Sequence, residues 1–198
     1  MAYQTVANLK VYLGIPSATT TDDTLLTTLL ANAQSIIENY TRRVFECAEE
    51  STVTHDAITD TDHRSRQILY LRGDVCEISE VVNGDGDTIT DYVTLPRSET
   101  PYFAIRLLRS AYTAWTYITD QEDSIEVTGL WAYSETPPSD IVHATTRLAA
   151  YLYHQKDNAM DLDRAVISGG ATILPVALPT DLKQLLEPYR RIVPVSAS

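Results

Sequence analysis

A stripe of apolar residues between Asp22 and Tyr40 constrains the fold more than any other part of the chain. Its members recur at steps of three and four, which places them on one face of an α-helix. They are Leu25, Leu26, Leu29, Leu30, Ala33, Ile36, Ile37 and Tyr40. A shorter helix precedes this one and ends at Gly14-Ile15-Pro16, because glycine suits the position after a helix and proline prevents its continuation. The opening segment therefore predicts two helices joined by a polar linker.

The opposite face of the longer helix is polar but nearly uncharged. It consists of Thr27, Thr28, Asn32, Ser35 and Asn39. Another copy of the protein covers such a face more easily than a face of Lys and Glu, because no charge has to leave water. A helix that packs on its own domain is the simpler interpretation, and both stay open at this point.

The composition limits the classes to which the protein can belong. Its 198 residues fit one domain, and an apolar share of 44% supports a hydrophobic core. The net charge of −12 argues against nonspecific nucleic-acid binding, which needs a cationic surface. The sequence contains neither a signal-peptide pattern nor an apolar stretch that could span a bilayer, and Cys47 and Cys76 lack metal-binding spacing. We expect a soluble, intracellular protein without membrane contact.

Residues 51–131 differ from the helical patterns on either side. This part is rich in Thr, Val, Ile and Tyr, in short alternating runs that predict strands. Two of these runs are residues 113–118, TAWTYI, and residues 124–131, SIEVTGLW. The segment 83–87, NGDGD, predicts a hairpin turn, since Asn, Asp and Gly tolerate positive φ. Antiparallel pairing is therefore favoured over a parallel sheet, which would need intervening helices.

Helical patterns return after the prolines at 137 and 138. From Ser139 to about residue 156, small and large apolar residues alternate along one face, which permits close helix–helix approach. Pro179 precedes a last short helix from Thr180 to Leu186, and we expect residues 187–198 to form a flexible C-terminal tail.

These patterns together predict the class α+β. The core is a helical bundle of two N-terminal helices, one long helix near 139–156 and the short C-terminal helix. An antiparallel β-rich region, 51–131, is inserted into this single domain, 1–198.

One cluster of side chains has the composition of a metal site. His55, Asp56, Asp60, Asp62 and His63 place two imidazoles and three carboxylates close together in the sequence. The segment is turn-like, however, and lacks a helical histidine pair, so an acidic loop between strands is the preferred interpretation. The sequence contains no motif of a nucleotide-binding loop, a nucleophile elbow or a redox-active cysteine pair. We therefore expect no enzyme activity and no cofactor.

Three segments, in this order, resemble the head–tail connector (adaptor) proteins of tailed bacteriophages. The first is residues 9–45, LKVYLGIPSATTTDDTLLTTLLANAQSIIENYTRRVF. The second is residues 129–158, GLWAYSETPPSDIVHATTRLAAYLYHQKDN, and the third is residues 178–192, LPTDLKQLLEPYRRI. The short members of that family are mainly helical, so the β-rich centre of this chain departs from the pattern.

The resemblance implies a structural virion protein at the head–tail interface. Such adaptors form a homo-oligomeric ring, commonly of twelve copies, that docks on the portal protein and receives a stopper or tail protein. The lumen continues the DNA channel, so DNA passes without sequence-specific binding, and a negative bore lets it slide. The alternatives are a stopper or tail-completion protein of the same neck, and a small metal-dependent enzyme that uses the cluster at residues 55–63.

The resemblance also implies which residues take part in assembly. In the family the C-terminal segment commonly reaches toward the portal, which here indicates Leu182, Leu185, Leu186, Tyr189, Arg190 and Arg191. For the leucines, a helix folded back on the protein's own core is an equal alternative. The uncharged helix face becomes the candidate for contacts between neighbouring subunits, through Thr27, Thr28, Asn32, Ser35 and Asn39.

Overall fold

The computed structural model describes residues 3–47, 49–62, 66–111, 113–157, 167–168, 171–172 and 178–191. The chain divides into two compact units. The β unit comprises Arg43–Pro137, and the helical unit comprises Ala2–Arg42 and Pro138–Ser198. The two ends of the chain thus supply the helices, and its middle supplies the main strands. That the chain acts as the single domain expected from the sequence stays a prediction.

The described residues of the helical unit include four helices and one 3-10 turn. They are α1 (Val6–Leu13), α2 (Asp23–Thr41), α3 (Ser139–Asp157), α4 (Thr180–Leu186) and the turn Glu187–Tyr189. Helix α1 begins where the Thr5 hydroxyl accepts a hydrogen bond from the Asn8 N–H. It ends, as predicted, at Gly14, whose φ of 70° is the left-handed conformation that favours glycine.

Four of the eight residues in the predicted apolar stripe of α2 are buried, and the other four, Leu25, Leu29, Ile36 and Tyr40, are half-buried. Leu26, Leu30, Ala33 and Ile37 are at most 3% exposed, and α2 packs against α1 and α3. The buried residues of α3 are Ile141, Ala144, Thr145, Thr146, Leu148, Ala149 and Ala150. Burial of apolar surface, at roughly 25 cal/mol per Å², holds these helices together, and the alanines let them approach closely.

A buried lysine fixes the linker between α1 and α2. Lys10 is 5% exposed, and its Nζ donates to the Thr19 carbonyl oxygen at 2.7 Å and forms an ion pair with Asp23. The neighbouring Asp22 makes no capping bond with its side chain, which instead accepts a hydrogen bond from Tyr153 Oη at 2.7 Å. Polar contacts within the helical unit therefore set the path of the linker.

Within the described residues, the β unit contains two three-stranded antiparallel sheets. Their strands are β1 (Ser51–His55), β2 (Ile68–Val75), β3 (Glu77–Val82), β4 (Tyr92–Leu95), β5 (Tyr102–Leu107) and β6 (Ile125–Leu130). The orders are β1-β6-β3 and β2-β5-β4. Buried residues from both sheets, including Leu69, Ile105, Ile125 and Val127, form one hydrophobic cluster. The predicted antiparallel pairing is confirmed.

Strand β6 has the face that its sequence predicts. Ile125, Val127 and Gly129 are buried and alternate with more exposed residues. A Cβ atom at Gly129 would collide with the carbonyl oxygen of Glu77 on β3. Glycine is therefore needed where the two strands approach each other.

The hairpin turn predicted at residues 83–87 is confirmed. The Gly86 N–H donates to the Asn83 carbonyl oxygen at 2.8 Å, and Gly86 has a φ of 89°. After the turn, the Ile89 N–H donates to the Val81 carbonyl oxygen at 2.8 Å, so the chain returns antiparallel to β3.

The strand predicted at residues 113–118 is wrong. The side chain of Asn83 forms hydrogen bonds with two backbone groups there. Its Nδ2 donates to the Ala114 carbonyl oxygen, and its Oδ1 accepts from the Thr116 N–H. Trp115 is 6% exposed and packs into the core of the β unit. The alternation of large residues at 113–118 therefore does not indicate a strand. It reflects one buried residue, Trp115, whose neighbouring backbone groups are hydrogen-bonded by the Asn83 side chain.

These observations confirm the α+β class and the antiparallel β-rich centre, and the predicted bundle arrangement of the helices stays a prediction. A further two-residue ladder joins β7 (Ile167–Ser168) to β8 (Ala171–Thr172). Within the described ranges, no helix is long and apolar enough to cross a membrane. Of the predicted tail, residues 192–198 lie outside the described residues.

Candidate interaction surfaces

The uncharged face of α2 lies on the surface of the helical unit. Its exposed residues are Thr24, Thr27, Thr28, Ala31, Asn32, Ser35 and Asn39, which include all five interface candidates. The hydroxyls of Thr27 and Thr28 donate to backbone carbonyls one turn earlier, at 2.8 and 3.0 Å. Because these hydroxyls are satisfied inside the helix and the face has no charged residue, a partner can cover this part of the face without burying a charge or an unpaired threonine hydroxyl.

The leucine candidates for portal contact lie on α4. Leu182 is 2% exposed and Leu186 is 0% exposed, whereas Leu185 is half-buried. Helix α4 packs against α3. Leu182 and Leu186 thus lie in the core of the helical unit, which is the alternative that the sequence left open for them.

The remaining C-terminal candidates contact the end of α2 and the start of α3. The Arg191 N–H donates to the Thr41 carbonyl oxygen at 2.8 Å, and Tyr189 Oη donates to Asp140 at 3.2 Å. The Arg190 guanidinium lies 5.5 Å from the centre of the Tyr40 ring. This places Arg190 and Arg191 beside the C-terminal end of α2.

A carboxylate joins this cluster. Glu187 accepts a hydrogen bond from Tyr40 Oη at 2.8 Å and pairs with Arg190 at 3.0 Å. The Tyr40 hydroxyl, followed by Arg190, holds the pKa of Glu187 below its ordinary value, and the bond to Glu187 raises the pKa of Tyr40. The Arg190 side chain is still 51% exposed, so it can also meet a partner.

The predicted metal cluster is organised around an arginine. Guanidinium nitrogens of Arg72 lie 2.9 Å from carboxylate oxygens of Asp56, Asp60 and Asp123. The Thr54 hydroxyl and Arg72 hold the pKa of Asp123 below its ordinary value. These carboxylates therefore neutralise a cation of the protein itself, as expected for a structural acidic loop.

No metal site is found in the part of the chain that the structure describes, since no three His, Cys, Asp or Glu side chains are grouped to hold an ion. His63 of the predicted cluster lies outside the described residues. His55 is 0% exposed, and burial lowers its pKa. Its ring stacks on Trp131 with 5.7 Å between the ring centres, so it serves packing in the β unit.

The β unit contains a cavity of about 360 Å³ that none of the sequence patterns above predicts. We call it the arginine pocket; it is lined by Gln67, Arg97, Arg106, Leu107, Leu108 and Arg109. One signal in the sequence points to it, because Glu99 is the only acidic residue between positions 92 and 119, where all three arginines occur.

Part of the sequence matches a known protein family. The sequence model of the phage gp6-like head-tail connector protein family matches residues 3–68. This segment contains α1, α2, β1 and the acidic loop after it. No curated protein matches the chain.

Two solved structures share the fold. One is a chain in the neck of an empty GTA particle computed with C6 symmetry, with a TM-score of 0.60 and 16% identity. The other is a chain in the virion of a native gene transfer agent (GTA) particle, with a TM-score of 0.59 and 17% identity. Each alignment covers 98% of this chain and 92% of the other. The predicted resemblance to head–tail connector proteins is thereby confirmed, with the family match over residues 3–68 and a shared fold over nearly the whole chain.

Proposed function

We propose that the chain is a structural neck protein of a phage-like virion, and that it forms a ring adaptor between the portal and the tail or stopper. The observation that carries this proposal is the connector family match over residues 3–68. The fold shared with chains of a gene transfer agent neck and virion supports it, because the likeness includes the β unit as well as the helices. A protein with this role lies at the head–tail interface of the virion.

The uncharged face of α2 is the proposed contact between copies. A helix face that meets a different surface of the next copy makes a head-to-tail contact, and such contacts close into rings when the rotation per subunit allows it. Twelve copies are the proposed number, which is compatible with the six-fold symmetry used for the similar neck. The exposed run from Thr24 to Asn39 supplies a contact line of about four helical turns.

The negative net charge of the chain is suited to a channel through which DNA passes without binding. With a net charge of −12, a ring of identical copies repels the phosphate backbone in most orientations. We infer that DNA passes through the lumen without sequence-specific binding.

The C-terminal residues are the proposed portal contact. Tyr189, Arg190 and Arg191 lie at the surface of the helical unit beside α2, and Arg190 is half exposed. Contact through Leu185 is compatible with its half-buried position. Contact through Leu182 and Leu186 stays a prediction that requires α4 to move away from α3.

Reconstitution with the cognate portal tests the proposal. The purified protein is mixed with portal rings, and the complex is imaged by electron microscopy. The expected result is one ring of this chain directly below the portal, with a continuous central channel. Density placed below another neck ring would favour the stopper or tail-completion role. A protein that stays monomeric and never binds portal would contradict the adaptor function.

A further inference from the structure

The arginine pocket gathers positive charge in an otherwise acidic unit. The β unit has more than twice as many acidic as basic residues, and its only cations are arginines. Arg106 lies on β5 between Ile68 of β2 and Val93 of β4, while Arg97 follows β4 and Arg109 follows β5. The pairing of β4 with β5 therefore brings Arg97 to the cavity that Arg106 and Arg109, which are near neighbours in the sequence, also line.

These three arginines have no partner of opposite charge among the described residues. All three are exposed. Among the described residues, the ion pairs of the β unit are formed by Arg43 and Arg72, and none of them includes Arg97, Arg106 or Arg109. Like charges around one cavity repel each other, so the arrangement favours an anion from outside. The guanidinium fork binds carboxylates with two parallel hydrogen bonds.

The same unit presents an exposed acidic segment, residues 117–122, which we call the acidic tip. Tyr117 and Ile118 are 45% and 74% exposed, and Asp120 and Glu122 are also exposed. Tyr117 and Ile118 are adjacent exposed apolar residues rimmed by acids, and an apolar patch with a polar rim is the composition of a protein interaction site. The aliphatic wall of the arginine pocket, Leu107 and Leu108, matches this composition.

The acidic tip is held in a fixed shape. Its start is tied by a bridge between Tyr117 and Gly84. Its end is tied by the Gln121 carbonyl oxygen, which accepts hydrogen bonds from the Ala57 N–H at 2.9 Å and from the Ser124 hydroxyl at 3.2 Å. A segment already ordered in this way loses little conformational entropy when it docks.

We propose that the acidic tip of one copy docks into the arginine pocket of the next copy in the assembly. The inference rests on the proposed ring function and adds a second contact, made by the β unit, to the contact through α2. The two surfaces are different parts of the same unit, so the contact is head-to-tail and repeats identically around a ring. Asp120 and Glu122 supply the carboxylates, and Tyr117 or Ile118 covers the leucine wall.

A second copy fits the pocket better than duplex DNA does. The pocket is a concave site of about 360 Å³, the size of a few side chains. A DNA duplex that approached it would also meet the acidic surface of the same unit, and phosphate repulsion there opposes binding. The acidic tip, in contrast, brings only the charges that the arginines neutralise.

Charge reversal on both sides tests the contact. One variant combines Arg106→Glu with Arg109→Glu, a second combines Asp120→Arg with Glu122→Arg, and a third carries all four changes. Ring formation is measured by mass photometry with portal present. Each two-site variant is expected to weaken association at least tenfold, and the four-site variant is expected to recover most of it. A milder pair, Arg97→Gln with Arg109→Gln, is expected to weaken association without reversing charge and covers the case in which a reversed variant fails to fold.

A matched control changes the net charge equally at another site. Glu80→Arg with Glu126→Arg, at exposed positions on β3 and β6, gives the same net charge as the variant of the acidic tip. This control is expected to assemble like the unchanged protein, and an equal loss of assembly would show that net charge alone is responsible.

Three further results would overturn the proposal. If the unchanged protein forms rings and the two-site variants form them equally well, only the tip-to-pocket contact is wrong. If the unchanged protein forms no ring with portal, the ring function fails together with it. If the arginine variants lose binding to a fluorescent DNA duplex in an anisotropy assay while their rings persist, the occupant of the pocket is DNA.

Discussion

The backbone N–H of Arg72 donates a hydrogen bond of 3.2 Å to Nε2 of His55. The other ring nitrogen, Nδ1, lies 3.2 Å from the Val53 carbonyl oxygen, which can only accept. Nδ1 therefore carries the proton and Nε2 does not, so the imidazole is neutral in the folded protein. Protonation of Nε2 would replace the hydrogen bond from Arg72 by repulsion between two donors.

This relationship predicts a loss of stability at mildly acidic pH. Burial, and to a lesser degree Arg72, lowers the pKa of His55, whereas Asp60 and Asp56 act in the opposite direction. The unfolded chain, with a histidine pKa of about 6.5, then binds the proton more readily than the folded chain. The contribution of His55 to the free energy of unfolding is fully present above about pH 6.5. It falls as the pH decreases toward the lowered pKa of His55 in the folded protein, by up to about 1.4 kcal/mol per pH unit.

Urea unfolding between pH 7.5 and pH 5 checks the prediction. The variant His55→Gln is expected to be less stable at pH 7.5 but to lose most of the pH dependence in this range. Equal slopes for the unchanged protein and for His55→Gln would show that another group is responsible. His154→Gln, a change at an exposed histidine on α3, is the control that should keep the slope.

The three carboxylates around Arg72 make the β unit sensitive to this arginine. Arg72→Ala removes the cation and leaves Asp56, Asp60 and Asp123 to repel one another. Because the Arg72 side chain is 40% exposed, solvent screens the effect, and we expect a loss of the order of 1 kcal/mol. Arg72→Lys should show a smaller loss of stability than Arg72→Ala. It keeps the positive charge, but an ammonium lacks the planar fork of donors that reaches all three carboxylates.

Salt distinguishes this electrostatic loss from a packing defect. The difference between Arg72→Ala and the unchanged protein should shrink in 1 M NaCl, where the screening length is about 3 Å. A difference that does not change with salt would contradict the ion-pair explanation.

Lys10 is expected to stabilise the helical unit through the linker. Lys10→Met keeps the apolar stem but removes the bond to the Thr19 carbonyl oxygen and the pair with Asp23. We expect a loss of about 2 kcal/mol in the free energy of unfolding, because the variant removes a part-buried, charge-assisted hydrogen bond together with the ion pair. Asp23→Asn in a double-mutant cycle separates the ion pair from the bond to Thr19. A variant Lys10→Met as stable as the unchanged protein would show that the linker is held otherwise.

The exposed face of α2 should tolerate charge in the monomer but not in the assembly. Asn32→Arg with Ser35→Arg is expected to leave the melting temperature nearly unchanged, since both residues are exposed, and to prevent ring formation with portal. The matched control is Asn32→Ala with Ser35→Ala, which keeps the face uncharged and should still assemble. Normal rings from the arginine variant would remove this face from the subunit interface.

The C-terminal segment should contribute more to portal docking than to folding. Deletion of residues 188–198 is expected to weaken docking strongly and to lower the melting temperature only slightly, because it removes the Tyr189 and Arg191 hydrogen bonds but keeps Leu182 and Leu186. Deletion of 192–198 alone shows whether Tyr189, Arg190 and Arg191 suffice. Portal affinities from surface plasmon resonance decide the matter, and undiminished docking by both truncated chains would place the interface elsewhere.

The sequence by itself determined the features that depend on near neighbours in the chain. The spacing of Leu26, Leu30 and Ile37 defined the buried face of α2, and the small residues at 83–87 defined the turn, because helix periodicity and turn conformation are local properties. The same logic failed for residues 113–118, where a distant side chain, that of Asn83, satisfied the backbone.

Only the tertiary structure decided which charges meet. Asp123 reaches Arg72 from a distant part of the sequence, and the pairing of β4 with β5 brings Arg97 to the cavity that Arg106 and Arg109 line. Sequence spacing could group the carboxylates at 56–62 but not supply their cation, because electrostatic energy depends on distance in space. The apolar pattern thus specified the elements, and their pairing specified the surfaces that an assembly can use.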